Sequence, residues 1–162
     1  MCSSDLVSGS LDLSASGYSP ATVLATLAGH ISATISNGTL VGFDLPHMQT
    51  AMENPDAAAV ETGASNAMAS GTTAFDELQL AAVIDHGDLL LETARMNSGS
   101  GEANASGDVN LPTQTMDLRI VLRPRASRPV PDIALRLTGP LDHPQRTPEL
   151  AGLARFVAER AH

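Results

Sequence analysis

The chain has 162 residues, which suits one domain large enough to bury a core of its own. Hydrophobic residues make up 43% of the chain but aromatic residues only 2%, so the core must be aliphatic. The net charge of -9 argues against a nucleic-acid partner, because phosphate binding needs a basic face. A single cysteine excludes a disulfide framework, and no apolar run is long enough to span a membrane.

The first part of the chain is expected to alternate strands with two short helices. Strict period-two alternation in "VSGSLDLSAS", residues 7–16, predicts a strand with one apolar face. In "YSPATVLATLAGH", Ser19 suits a helix N-cap and Gly29 suits the C-terminal stop. The segment "HISATISNGTLVGF" predicts a hairpin that turns at Asn37-Gly38. The segment "DLPHMQTAMEN" predicts a helix capped by Asp44.

The second part of the chain is expected to be mainly strands. Residues 55–73 have little periodicity and indicate a partly helical connection. Alternating strands follow in "FDELQLAAVID", "LLLETARMN", "SGSGEANASGDVNL", "TMDLRIVLRP" and "PDIALRLTGP", with turns at "DHGD" and "PTQT". The last segment, "TPELAGLARFVAERA", predicts a helix capped by Thr147 with Pro148 in its first turn.

These elements together predict an α+β fold. We expect a curved, groove-like antiparallel meander, with two or three short helices packed at its ends or on its concave face. Each strand is apolar on one side only, so the dry face of the sheet needs a partner. The sequence leaves open whether the sheet curls on itself, is covered by the helices, or receives another apolar molecule.

The motifs of enzymes and metal sites are missing from the sequence. There is no G-x-S-x-G elbow and no G-x-G-x-x-G loop, and the five histidines have no metal-ligand spacing. We therefore expect no catalytic residue, no cofactor and no metal. The asparagine in "NGT" at Asn37 is interpreted as a turn residue rather than a glycosylation site.

The order of the elements resembles the C-terminal domain of the AsmA family of bacterial envelope proteins. The matching features are the capped helix at Ser19-Pro20, the following strand with Asn37-Gly38, the segment from Ser106 to Asp117, and Gly139-Pro140 with Pro144. Each motif is weak alone, but their order and spacing match over residues 7 to about 150. The insert at residues 53–73 departs from the family pattern.

The resemblance implies a non-enzymatic periplasmic domain of a protein that an upstream helix attaches to the bacterial inner membrane. Such proteins take part in outer-membrane biogenesis and in the regulation of protein targeting to membrane. Larger relatives resemble β-grooves that carry phospholipid on an aliphatic interior. Phospholipid acyl chains and outer-membrane assembly proteins are the expected partners, and nucleic acid is not. The alternative is a protein-interaction module that docks an envelope assembly partner by a strand edge or an Arg-bearing face.

Two sets of residues are candidates for these contacts. The residues expected to line an aliphatic groove are Leu11, Leu13, Ile31, Ile35, Leu78, Leu80, Ile84, Leu118, Ile120, Ile133 and Leu135. All nine basic residues are Arg and all follow residue 94. Those expected to contact a headgroup or an acidic partner are Arg119, Arg123, Arg125 and Arg128, although a solvated face is the simpler interpretation.

The opening "MCSSDL" has no counterpart in the family pattern. These residues are what a common sequencing-adapter end encodes, so we expect residues 1–6 to be non-native and residues 7–162 to be the AsmA-like domain, a fragment of a longer protein. The strand at residues 7–16 is then expected to present an unpaired edge, which favours aggregation when the chain is made alone.

Overall fold

Eight antiparallel strands form a single open sheet in which strand order follows chain order. The strands are β1 Cys2–Ser14, β2 Ala28–Val41, β3 Thr72–Asp85, β4 Asp88–Ser98, β5 Gly101–Asn110, β6 Thr115–Pro124, β7 Ile133–Pro140 and β8 Gln145–Glu149. The helices are α1 Pro20–Thr26, α2 Leu45–Met52, α3 Ala57–Ala69 and α4 Ala151–Arg160. The predicted α+β fold and antiparallel meander are confirmed, but residues 2–160 form four helices where two or three were expected.

The structure is a computed structural model that describes the backbone of residues 2–160 and the side chains of residues 7–159. Met1 of the expected adapter segment, and Ala161 and His162, lie outside the described residues. β1 begins at Cys2, before the predicted strand, and its backbone pairs with β2 from Cys2 onward. Backbone pairing needs no particular side chain, so it does not test whether residues 1–6 are native.

The predicted hairpin at Asn37-Gly38 is wrong. β2 runs through this dipeptide as one strand of 14 residues, and Gly38 pairs with Phe75 of β3. β2 has a partner strand on each side, and these two ladders outweigh the local turn preference. Asn37 keeps a positive φ of 54° without reversing the chain. Ile35 and Leu40, which a regular strand would place on opposite faces, both pack on the core.

Helix α1 begins as predicted but ends earlier. The Ser19 hydroxyl accepts a hydrogen bond from the Thr22 N–H at 3.3 Å, which is the expected N-cap. Gly29 is not the C-terminal stop, because the helix ends at Thr26 and Gly29 lies in β2 opposite Leu13. Its φ is 149°, and a Cβ there would overlap the Asp12 carbonyl oxygen. Close approach of β1 and β2 is therefore what requires glycine.

Residues 55–73, whose sequence has little periodicity, contain a helix of 13 residues, α3. The Asp56 carboxylate caps it by accepting from the Ala58 N–H at 3.1 Å. Val60, Ala64 and Met68 recur every four residues and are all buried. This helical spacing was present in the sequence, but the run of small residues made it weak.

The N-terminal cap predicted for the last helix is wrong. Thr147 and Pro148 lie in β8, opposite Arg136 and Leu135 of β7, and α4 begins only at Ala151. A proline is tolerated here because β8 is an edge strand. Leu153 on α4 is buried as expected, at 1% exposed.

The main core lies between helices α2 to α4 and one end of the sheet. α2 contacts β3 and β6, while α3 contacts α2, α4 and β8. The Asp44 carboxylate caps α2 by accepting from the His47 N–H at 2.9 Å, as predicted. The core residues are aliphatic apart from two phenylalanines, and they are Phe43, Leu45, Met48, Met52, Val60, Ala64, Ala67, Met68, Phe75, Met96, Ala103, Leu122, Ile133, Leu135 and Leu153.

We expect Met68→Ala to lower the free energy of unfolding by about 2–5 kcal/mol, because truncating a fully buried methionine leaves a cavity. Urea denaturation measures this change. Glu61→Ala, at an exposed position of the same helix, is the matched control and should change stability by less than about 0.5 kcal/mol. Equal effects of the two substitutions would contradict the packing of α3 on the core.

Candidate aliphatic binding face

One face of the sheet is apolar from strand to strand, and we call it the apolar face. Cross-strand pairing places its side chains in four parallel rows. The rows, from the helix-covered end to the opposite end, are Val7–Ile35–Leu78–Met96–Ala103–Leu122–Ile133; Gly9–Ala33–Leu80–Ala94 with Ala105–Ile120–Leu135–Pro148; Leu11–Ile31–Ala82–Leu91–Gly107–Leu118–Leu137; and Leu13–Gly29–Ile84–Leu89–Val109–Met116–Gly139.

Every residue predicted to line a groove belongs to one of these rows, but the rows differ in cover. Ile133 and Leu135 are fully buried in the helix-covered core, and Ile35, Leu78 and Ile120 pack against that core. Ile133 and Leu135 are therefore not on an open surface, whereas Ile35, Leu78 and Ile120 remain half-buried. Their position follows from the helical layer, because α2 to α4 cover that end of the sheet.

The remaining predicted residues lie away from the helical core. Leu11 is 66% exposed and Leu13 is 41% exposed, both on the edge strand β1. Ile31, Leu80 and Leu118 are half-buried. Ile84 is buried at 3% exposed but is not part of the main core cluster. The open part of the apolar face is thus β1 together with the half-buried residues of the lower rows, whereas Ala82 and Ile84 on β3 are buried.

A β-bulge explains which apolar residues the sequence did not reveal. The pairing of β3 with β4 shifts between Ala81 and Ala82, so that Leu91 pairs with Ala82 and Thr93 pairs with Ala81. An extra residue on one strand reverses its alternation. Leu91 and Ala94 therefore share the apolar face despite their odd spacing, which hides Leu91 and Met96 from a period-two search.

A cavity of about 210 Å³ lies where the helical layer meets the open rows. Phe43, just before α2, forms part of its wall, and Leu78, Leu80 and Ile120 come from the predicted groove residues. The full lining is Leu40, Phe43, Leu78, Leu80, Ala94, Met96, Ala103, Asn104, Ala105 and Ile120. No charged residue lines it. Such a cavity accepts aliphatic groups and excludes polar ones.

The opposite face of the sheet carries ion pairs. Arg119 Nη2 lies 2.9 Å from Glu149 Oε2, and Arg123 Nε lies 3.1 Å from Asp132 Oδ1. The predicted contact residues Arg119 and Arg123 therefore point away from the apolar face and already have acidic partners. All four side chains are roughly half exposed, so each pair adds little stability.

Arg125 and Arg128 lie in the connection between β6 and β7 and make no ion pair with the side chains of residues 7–159. They line an open cleft of about 440 Å³ with Arg123 and Asp132. Arg128 also lines a neighbouring crevice of about 280 Å³ with Met52 and Phe156. This loop is at the helix-covered end, so the helical layer separates it from the open rows.

Arg136 and Asp117 form a bidentate pair, with Nε–Oδ1 and Nη2–Oδ2 distances of 3.1 and 2.9 Å. The hydrogen bond from Arg136 holds the pKa of the Asp117 carboxyl below its usual value, and Asp117 raises the pKa of Arg136. Charge-assisted bonds of this geometry are stronger than single neutral ones. The pair joins β6 and β7 on the polar face.

The described residues contain no metal cluster and no membrane-spanning helix. Over the described part of the chain, no three His, Cys, Asp or Glu side chains gather in a metal-binding arrangement. None of the helices there combines the length and hydrophobicity needed to cross a bilayer.

No protein-family model, curated protein or solved structure matches this chain. The resemblance to the AsmA family therefore stays a prediction from the sequence.

We expect the Asp117 carboxyl, followed by NMR, to titrate below the ordinary pKa of about 4. Because the pKa of Asp117 is lowered in the folded state, the ion pair stabilises the fold fully at pH values above the ordinary pKa of the carboxyl. That stability is lost as the pH falls through the lowered pKa. In Arg136→Gln the carboxyl should return to its ordinary pKa, whereas Arg123→Gln, which removes the partner of Asp132, should leave it unchanged.

Proposed function

We propose that this chain is a non-enzymatic domain that holds phospholipid acyl chains against the apolar face of its sheet. The observation that carries the proposal is the incomplete cover of that face. Leu11 and Val7 are 66% and 61% exposed, and they continue rows whose other members are half-buried or buried. Large exposed aliphatic residues that extend a core are typical of a binding surface.

Curvature of the sheet is part of the proposal. Ile31, Leu91 and Leu118 lie in the same row and are half-buried, although none of them packs on the helical core. Strand twist makes large sheets concave on one face, and a concave face shields its own side chains. The apolar face would then be a groove, with the helices at one end.

The groove would act by burial, not by chemistry. Covering aliphatic surface contributes about 25 cal/mol per Å², so a long acyl chain gains several kcal/mol from contact with these rows. No charged side chain lines the cavity, and Arg146, which pairs with Leu137 on the same face, donates its guanidinium to the Gly42 and Ala69 carbonyl oxygens.

The AsmA resemblance supports a cellular setting for this activity. We propose that the domain belongs to a periplasmic protein held in the bacterial inner membrane by an upstream helix, with roles in outer-membrane biogenesis and the regulation of protein targeting to membrane. Of the features that carry the resemblance, Ser19 caps α1 and a turn joins β5 to β6, whereas Asn37-Gly38 lies inside β2.

The test uses Leu11 and Ser8, which are three residues apart on β1 and lie on opposite faces of the sheet. We expect Leu11→Asp to weaken binding of a photo-crosslinkable phospholipid to this chain about tenfold or more, because a leucine contributes about 1.5–3 kcal/mol when buried. Ser8→Asp adds the same charge on the polar face and should bind normally. Mass spectrometry of crosslinked protein measures both. Equal binding by the two variants, or no lipid crosslinking by the parent chain, would contradict the proposal.

A second candidate function is docking of a protein partner by the edge of β1. The two edges of the sheet differ: β8 has 5 residues and includes Arg146 and Pro148, whereas β1 has 13 residues and only Asp12 is charged between Val7 and Ser14. Short, charged, proline-containing edges resist strand addition, and long uncharged ones accept it. An alternating apolar strand from an envelope assembly protein would extend the sheet here.

We expect Ser10→Pro to abolish capture of such a partner, because proline is poorly tolerated in a strand that has a neighbour on both sides. Crosslinking in cells should then yield a protein adduct near β1 from the parent chain and none from the variant. Thr147→Pro on β8 is the matched edge control and should leave the adduct unchanged. A lipid adduct at β1 without any protein adduct would favour the acyl-chain function instead.

A further inference from the structure

We propose that the cavity beside α2 receives the methyl end of a phospholipid acyl chain, so that the helical layer forms the blind end of the apolar face. This inference rests on the proposed function and adds to it an orientation of the bound chain. It assigns a binding site to the residues where α2 meets the sheet.

The chemistry of the cavity selects a hydrocarbon. Its volume is about 210 Å³, and Asn104 is the only lining residue with a polar side chain. Apolar cavities of about 150 Å³ stay dry and bind small hydrocarbons. A phosphate or any charged headgroup would lose its hydration here without gaining a partner. The tail of an amphiphile therefore fits this site and its head does not.

Cover differs between the helix side of the cavity and the side of the open rows. Behind it, Met48 of α2 and Leu122 of β6 are fully buried, and Phe75 is 3% exposed. In front of it, the row of Leu11, Ile31 and Leu118 is half-buried to largely exposed. A chain that lies on the open rows would therefore end at the cavity.

The length of the open surface suits one acyl chain. From Ile120 at the cavity to Met116 in the last row, the half-buried face of β6 extends about 14 Å at roughly 3.4 Å per residue. One leaflet of a bilayer contributes about 15 Å of hydrocarbon, which is half of the core thickness. The open rows and the cavity together can therefore cover a single chain.

The first experiment maps where each end of the lipid lies. Two phospholipid probes carry a photoreactive diazirine on one acyl chain, either at its methyl end or next to its ester. The methyl-end probe should label the cavity segment around Leu78, Leu80 and Ile120, and the ester-end probe should label Leu11, Leu13 or Leu118. A free fatty acid with a methyl-end diazirine is the third arm, and labelling by it alone would overturn phospholipid as the source.

The second experiment fills the cavity. Ala105 lines it and pairs with Ile120, so Ala105→Leu should reduce methyl-end labelling of this segment about tenfold. Ala81 lies on the same sheet but faces the polar side, opposite Ser32, and Ala81→Leu should leave the labelling unchanged. Thermal unfolding checks that both variants are folded. Ala94→Val, which fills the same cavity by less, serves if Ala105→Leu does not fold.

The outcomes separate this inference from the function on which it rests. If both probes label Leu11 and Leu118 equally and neither labels the cavity, the blind-end orientation is wrong while acyl-chain binding stands. If the ester-end probe labels the cavity, the orientation is also overturned. If no probe labels the apolar face, acyl-chain binding itself fails.

Discussion

The structure depends on one constraint: an open antiparallel sheet brings the aliphatic side chains of all its strands to one face, and that face needs cover. The backbone ladders run from β1 to β8 without a crossover, so the apolar rows cross the whole sheet. Helices α2 to α4 cover one end and form the main core there. The rest of the face has less cover, and Leu11 on β1 is 66% exposed.

The polar face and the turns maintain the register that this arrangement requires. A shift of one residue would move an entire strand's aliphatic side chains to the solvent side. The turn at His86 and Gly87, both with positive φ, sets the pairing of β3 with β4, and the Arg136–Asp117 pair joins β6 to β7. Within β4, the bulge near Leu91 reverses the alternation once and keeps both halves of the strand apolar on the same side.

The sequence predictions are right where interactions between residues close in the chain decide the structure, and wrong where pairing between distant residues decides it. Local patterns were sufficient for β6 and β7, where the alternation is regular, and for the caps at Ser19 and Asp44. They failed at Asn37-Gly38, where a strong turn dipeptide sits inside a strand that is paired on both sides. They failed again at Thr147, which suits a helix N-cap but pairs with Arg136 of β7 as part of β8. In both places, tertiary pairing outweighs a local preference.

By itself, the sequence determined the class of fold, the antiparallel meander and most of the apolar face. These follow from period-two alternation, because side chains of one parity share a side wherever a strand has no bulge. Only the tertiary structure decided which part of that face is covered. Ile133 and Leu11 are equally aliphatic in sequence, but one lies beneath the helices and the other on an edge strand. Burial depends on what packs against a residue, and no local pattern contains that information.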